Sequence, residues 1–195
     1  MAADQPSLGL EEMVDQAVAF HQQGRVAEAE RLYRQVLNAS PDHFDGRHLL
    51  GMLRSQQGRH HEALLLIEGA LRKKPDDPDA LYNCGNVLAA LERYDDALTR
   101  YEAALTARAD FAEALFNRGN ALLALKRPEE ALASYDRTLT YVPDMPEVLA
   151  NRGAALAQLG RLDEALRSYD RSLVSWPDNP DAIEGRNNVL ALLQR

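Results

Sequence analysis

Leu115, Gly119 and Leu122, followed after a short gap by Ala131, Leu132, Tyr135 and Leu139, set small or apolar residues three, four and seven apart with polar residues between. That spacing marks two amphipathic helices, and nothing in it reads as strand. The unit recurs along the chain. Gly51, Gly85, Gly119 and Gly153 stand 34 apart, as do Ala29, Ala63, Ala97, Ala131 and Ala165. Pro41, Pro75, Pro143 and Pro177 keep the same period, with Ala109 at the third copy's proline place. Each alanine is followed at a fixed offset by Tyr33, Tyr101, Tyr135 or Tyr169, with Ile67 in the second copy. A unit this short cannot bury a core alone, so the copies must stack. The expected fold is all-α: a solenoid of helix-turn-helix repeats at about 10–43, 44–77, 78–111, 112–145 and 146–179. A capping helix over 180–195 completes a single domain spanning 1–195.

Local chemistry agrees with that division. Gly24, Gly58 and Gly160 fall just past the first helix of their copies, where a positive φ closes the last turn. Glu92 and Lys126 hold the same place in the third and fourth copies, so those turns are expected to close differently or at some strain. Second helices open with acids, Glu28, Glu62, Asp95, Glu129 and Asp163 among them, which meet the positive end of the helix dipole. Gly119 and Ala131 are placed where the two helices of one copy cross. The tyrosine beyond the alanine is expected to fill the space toward the next copy.

Composition narrows the function. The formal charge is −8 and no basic stripe appears, which argues against a nucleic-acid partner. No apolar run approaches the ~20 residues a membrane span needs, and Met1 to Ala17 lacks the basic-then-apolar order of a leader, so a cytoplasmic location is expected with no membrane partner. The single cysteine, Cys84, excludes an internal disulfide and a thiolate metal cluster, and its place beside Gly85 reads as a buried small residue. His43, His48, His60 and His61 crowd one stretch and His21 is expected to approach His48, yet no ligand spacing completes a metal site. No nucleophile elbow or phosphate loop is present. The reading is of a non-enzyme with no cofactor, no metal and no catalytic residue.

The spacing of Leu115, Gly119, Leu122, Ala131, Tyr135 and Pro143, repeated over about 10–179, resembles the tetratricopeptide repeat. The resemblance implies a right-handed superhelix whose concave groove, lined by first helices, binds protein or peptide. The first copy departs most, with Gln16 and Ala17 where the next copy has Leu50 and Gly51.

Asparagines form the pattern most suggestive of function. Asn83, Asn117 and Asn151 repeat at 34, and Asn86 and Asn120 sit one turn further along the same helices. Each costs a few tenths of a kcal/mol against Ala in a helix, so a use is expected. An amide can both donate to and accept from an extended peptide's backbone. The resemblance implies that Asn83, Asn117 and Asn151 point into the groove, as in the arrays of O-linked N-acetylglucosamine transferases; the alternative is hydrogen bonding between neighbouring helices. Tyr82 and Phe116 would share the groove, with Val14, Val18, His48, Leu49 and Met52 lining it in the first two copies. Those two aromatics stand where grooves for acidic chaperone tails carry lysines, so that ligand is not expected.

Asp42, Asp76, Asp110, Asp144 and Asp178 are followed three residues on by Asp45, Asp79, Glu113, Glu147 and Asp181. The set resembles a repeated capping box. Asp79, Glu113, Glu147 and Asp181 would also form an acidic rim of the groove, favouring a ligand that carries Lys or Arg. The function expected is a scaffold binding an extended peptide or partner helix, basic or partly apolar in character. The alternative is a substrate-recruiting module of a larger enzyme such as a glycosyltransferase. Ile183, Leu190 and Leu193 are expected on one face of the cap, where an exposed apolar seam would favour that module; self-association through the end copies is a further reading.

Overall fold

The computed structural model describes residues 9–194; residues 1–8 and Arg195, part of the expected 1–195 domain and of the stretch read for a leader, lie outside the described residues. Two compact units result, one running through Leu91 and the other from Glu92. The first holds α1 (Leu10–Gln22), α2 (Val26–Ala39), α3 (Phe44–Gln56), α4 (His60–Leu71) and α5 (Pro78–Ala90). The second holds α6 (Tyr94–Ala107), α7 (Ala112–Ala124), α8 (Pro128–Tyr141), α9 (Pro146–Gln158), α10 (Leu162–Ser175) and α11 (Pro180–Leu193). The described residues contain no strand. The predicted copies begin at 10, 44, 78, 112, 146 and 180, which are the first residues of α1, α3, α5, α7, α9 and α11.

In the first unit α1 packs on α2, α3 packs on both and on α4, and α5 packs on α3 and α4. In the second unit α9 packs against α7, α8 and α10, and α11 packs against α9 and α10. Small residues permit these approaches: Ala29, Ala63, Ala97, Ala131 and Ala165 have no exposed surface at all. A Cβ on Gly119 would lie 2.5 Å from Cε1 of Tyr135, and one on Gly153 would lie 2.7 Å from Cε1 of Tyr169. Tyr135 and Tyr169 therefore cover the glycine of their own copy, a role beside the expected one of filling space toward the next. Tyr169 does both, since its ring also meets Gly185 of α11.

All five inter-helix turns within copies adopt the left-handed conformation. Gly24, Gly58 and Gly160 have φ near +73°, and Glu92 and Lys126 have φ of 59° and 60°. The turns without glycine thus close in the same way as the others and carry the strain of a side chain there. Beside each turn an arginine pairs with the acid three residues on: Arg25 with Glu28, Arg59 with Glu62, Arg93 with Asp96, Arg127 with Glu130 and Arg161 with Glu164. Where Ala109 replaces proline, Arg137 of α8 donates to its carbonyl at 2.6 Å, as Arg171 of α10 does to Pro143 at 3.1 Å.

The acid caps fall one residue away from where the spacing put them. The N-caps are His43, Asp77, Phe111, Met145 and Asn179, so Asp42, Asp76, Asp110, Asp144 and Asp178 precede the cap. His43 Nδ1 accepts from Gly46 N, Asp77 Oδ1 from Ala80 N, and Asn179 Oδ1 from Ala182 N. Asp42 and Asp144 instead pair with Arg47 and Arg171. The reason is local: a proline at N1 in α5, α9 and α11 sets the helix start, and the cap is the residue before it. The cap helix α11 docks on α9 and α10 through a narrow stripe. Ala182 and Val189, seven apart on one stripe, are buried, while Ile183 and Leu193 are about half exposed.

Candidate peptide-binding groove

First helices supply the candidate groove in each unit. In the first unit, Val18 of α1 and Leu49 and Met52 of α3 line a cavity of about 350 Å³ floored by Tyr33. Its mouth is bridged by His21, whose Nε2 donates to Gln56 Oε1 at 2.7 Å. Met52 and Gln56 also border a second hollow of about 170 Å³, where Asn83, Asn86 and Val87 of α5 form the opposite wall. In the second unit a cavity of about 470 Å³ is lined by the amides of Asn151 and Asn188, the carboxylates of Asp181 and Glu184, and the small side chains of Ala154 and Ala157.

The asparagines are joined to neighbouring helices. Asn83 Nδ2 donates to Nε2 of His48 at 3.0 Å, which requires that nitrogen to be unprotonated. His48 is 8% exposed, and burial holds its imidazole below the ordinary 6.5 against the opposing pull of Asp77, Asp45 and Asp79. In the second unit Asn120 Oδ1 accepts from Asn151 Nδ2 and from the Tyr135 hydroxyl, each at 2.8 Å. Asn83, Asn86, Asn117, Asn120 and Asn151 are all half-buried. Phe116 is tilted against Tyr135 at 6.1 Å, and Tyr82 is half-buried on α5.

Asp79, Glu113 and Glu147 are each the second residue of their helix and are exposed, as is Asp181. The same placement serves the helix dipole. His21 does not approach His48. It bonds Gln56, because Ser55 is its counterpart one period on and His48 lies seven residues earlier, about 10 Å along the axis. No group of three metal-ligating side chains occurs among the described residues.

Glu184 and Asn188 in the last cavity, and the orphaned hydroxyl of Tyr33 in the first, were not singled out in the sequence. The signal for Asn188 was available, since it continues the places of Asn86 and Asn120 at the same period, with Ala154 between. Outside the groove, Arg118, Arg152 and Arg186 pair with Glu102, Asp136 and Asp170, a ladder on the 34-residue period. It links each first helix to the preceding second helix.

Tetratricopeptide repeat family models match residues 20–81, and 82–146 with 127–180. The chain belongs to the tetratricopeptide repeat family, which places it among protein-interaction scaffolds. Solved structures of the same fold include that of YrrB, a tetratricopeptide repeat protein described as having an unusual peptide-binding site, with 22% identity, a TM-score of 0.80 and coverage of 92% of either chain. The pilF protein of Pseudomonas aeruginosa is similar at 19% identity and a TM-score of 0.83, over 95% of this chain and 84% of that one. A MamA structure gives 20% identity and a TM-score of 0.77, over 84% of this chain and 90% of the other. No curated protein matches the chain.

Proposed function

We propose that the chain is a non-enzymatic scaffold whose first helices bind an extended peptide carrying a lysine or arginine. The observation that carries this reading is the cavity of the second unit, where Asn151 and Asn188 offer amides beside the carboxylates of Asp181 and Glu184. Amides suit a peptide backbone of any sequence, and two carboxylates over a floor of Ala154 and Ala157 suit one cation with room for its stem. The peptide-binding site described for YrrB, a protein of the same fold, supports it.

The test is selection of peptides from a random displayed library, followed by calorimetric titration. The expected peptides carry Lys or Arg and bind the Asp181→Asn, Glu184→Gln double variant at least tenfold more weakly, as the loss of charge-assisted contacts of about 1.5 to 3 kcal/mol requires. Both carboxylates are exposed, so the fold measured by circular dichroism is expected to be unchanged. Equal affinity for wild type and double variant, or a selection that yields no basic peptide, would overturn the reading.

A further inference from the structure

The first copy breaks the amide pattern in a way that leaves a polar group stranded. Tyr33 has no exposed surface, and its hydroxyl has no hydrogen-bond partner. Tyr135, at the same place in the fourth copy, donates to Asn120. The counterpart of Asn120 in the first copy is Val18, which cannot accept. Leu49 likewise stands where later copies have Asn83, Asn117 and Asn151, and Met52 where they have Asn86 and Asn120. Three amide positions have therefore become aliphatic around one tyrosine, and these residues line the 350 Å³ cavity. Among the described residues, no Asp, Glu, Lys or Arg is in its wall.

Buried polar atoms are rarely left unmatched, because losing water without gaining a partner is costly. We propose that this cavity is an anchor site for one uncharged aliphatic residue of a bound peptide, Leu or Met in size, whose backbone carbonyl accepts from the Tyr33 hydroxyl. The inference rests on the groove reading above and adds the class of residue that the first unit selects. The volume fits, being at the lower end of the range for sites that enclose a small ligand. His21 stands edge-on to Tyr33 at 6.4 Å and is tethered to Gln56. Since the hydroxyl is sealed from solvent, seating the carbonyl requires that ring to swing, exchanging the Gln56 bond for one to the ligand.

The test is methyl-resonance NMR on the full chain titrated with N-acetyl-L-leucine methylamide, beside the glycine analogue as a probe lacking the side chain. The leucine probe is expected to shift the methyls of Val18, Leu49 and Met52 saturably and the glycine probe to leave them. Leu49→Asn, which restores the residue type of later copies, is expected to abolish the shifts. Tyr33→Phe is expected to weaken the probe by roughly two- to tenfold while leaving the melting temperature unchanged or higher, since it removes a stranded hydroxyl. Equal shifts from both probes, or an unaltered titration in Leu49→Asn, would overturn the site. The Asp181 and Glu184 variants test the groove reading on other residues, so a basic peptide that binds Leu49→Asn undiminished sinks the anchor alone.

Discussion

Arg54, only 2% exposed, lays both terminal nitrogens of its guanidinium on the carboxylate of Glu30, at 2.7 and 2.6 Å. Gln57 accepts a third bond at 2.7 Å, and Glu62 lies 3.6 Å from Nε. At the places of Arg54 and Glu30 one copy on stand Leu88 and Leu64, then Leu122 and Leu98, then Leu156 and Leu132. A bidentate ion pair thus replaces a leucine pair in the first of these junctions.

Breaking that pair from one side strips a largely buried charge of its bidentate partner, leaving Arg54 to Glu62 at 3.6 Å or Glu30 to Arg34. Arg54→Leu or Glu30→Leu alone is expected to cost about 3 to 5 kcal/mol, while the double replacement, which copies the later junctions, is expected to be close to neutral or stabilising. Urea denaturation of the three variants checks this. A double variant as unstable as the worse single would show that the pair is not an isolated substitute for two leucines.

Acid should weaken the fold in two windows. Burial depresses the His48 imidazole below 6.5, so below that pH the unfolded chain binds more protons and stability falls. The Arg54 guanidinium, chiefly by hydrogen bonding, lowers the Glu30 carboxyl from 4.5 to about 2. The stability it contributes is present above about 4.5 and is lost as pH falls toward 2. Denaturation midpoints measured from pH 7.5 to 2.5 are expected to lose the upper step in His48→Phe and the lower step in Glu30→Gln.

Turns with side chains at positive φ should be improvable. Lys126→Gly and Glu92→Gly are each expected to raise stability by about 1 kcal/mol, the left-handed penalty less part of the entropy glycine adds to the unfolded chain. Gly24→Ala is expected to lower it by a similar amount through conformation alone, because no atom lies within 4 Å of the added carbon. Melting temperatures report both signs.

Binding of a basic peptide should weaken with salt. Exposed carboxylates at Asp79, Glu113, Glu147 and Asp181 act over a screening length of about 8 Å at physiological ionic strength. Affinity at 50 mM and 500 mM NaCl is expected to differ severalfold in the wild type and less in Asp181→Asn, Glu184→Gln. A flat response would leave these acids only their part at the helix starts.

The copy boundaries, the eleven helices among the described residues and the buried Ala29, Ala63, Ala97, Ala131 and Ala165 were legible in the chain itself. They rest on short-range regularities, apolar spacing along one helix and the conformational limits of Gly and Pro, which a repeat restates until it is unambiguous. The candidate groove was half legible: the sequence showed which places carry amides, acids and aliphatic residues. Only the tertiary structure decided their partners. Asn83 meets His48, 35 residues away, and Asn151 meets Asn120, 31 away, because the stagger of adjacent first helices selects which turn faces which. The same stagger pairs His21 with Gln56, while the packing of α2 on α1 and α3 buries Arg54 against Glu30 and leaves the Tyr33 hydroxyl without a partner, and no property of those residues taken singly contains either arrangement.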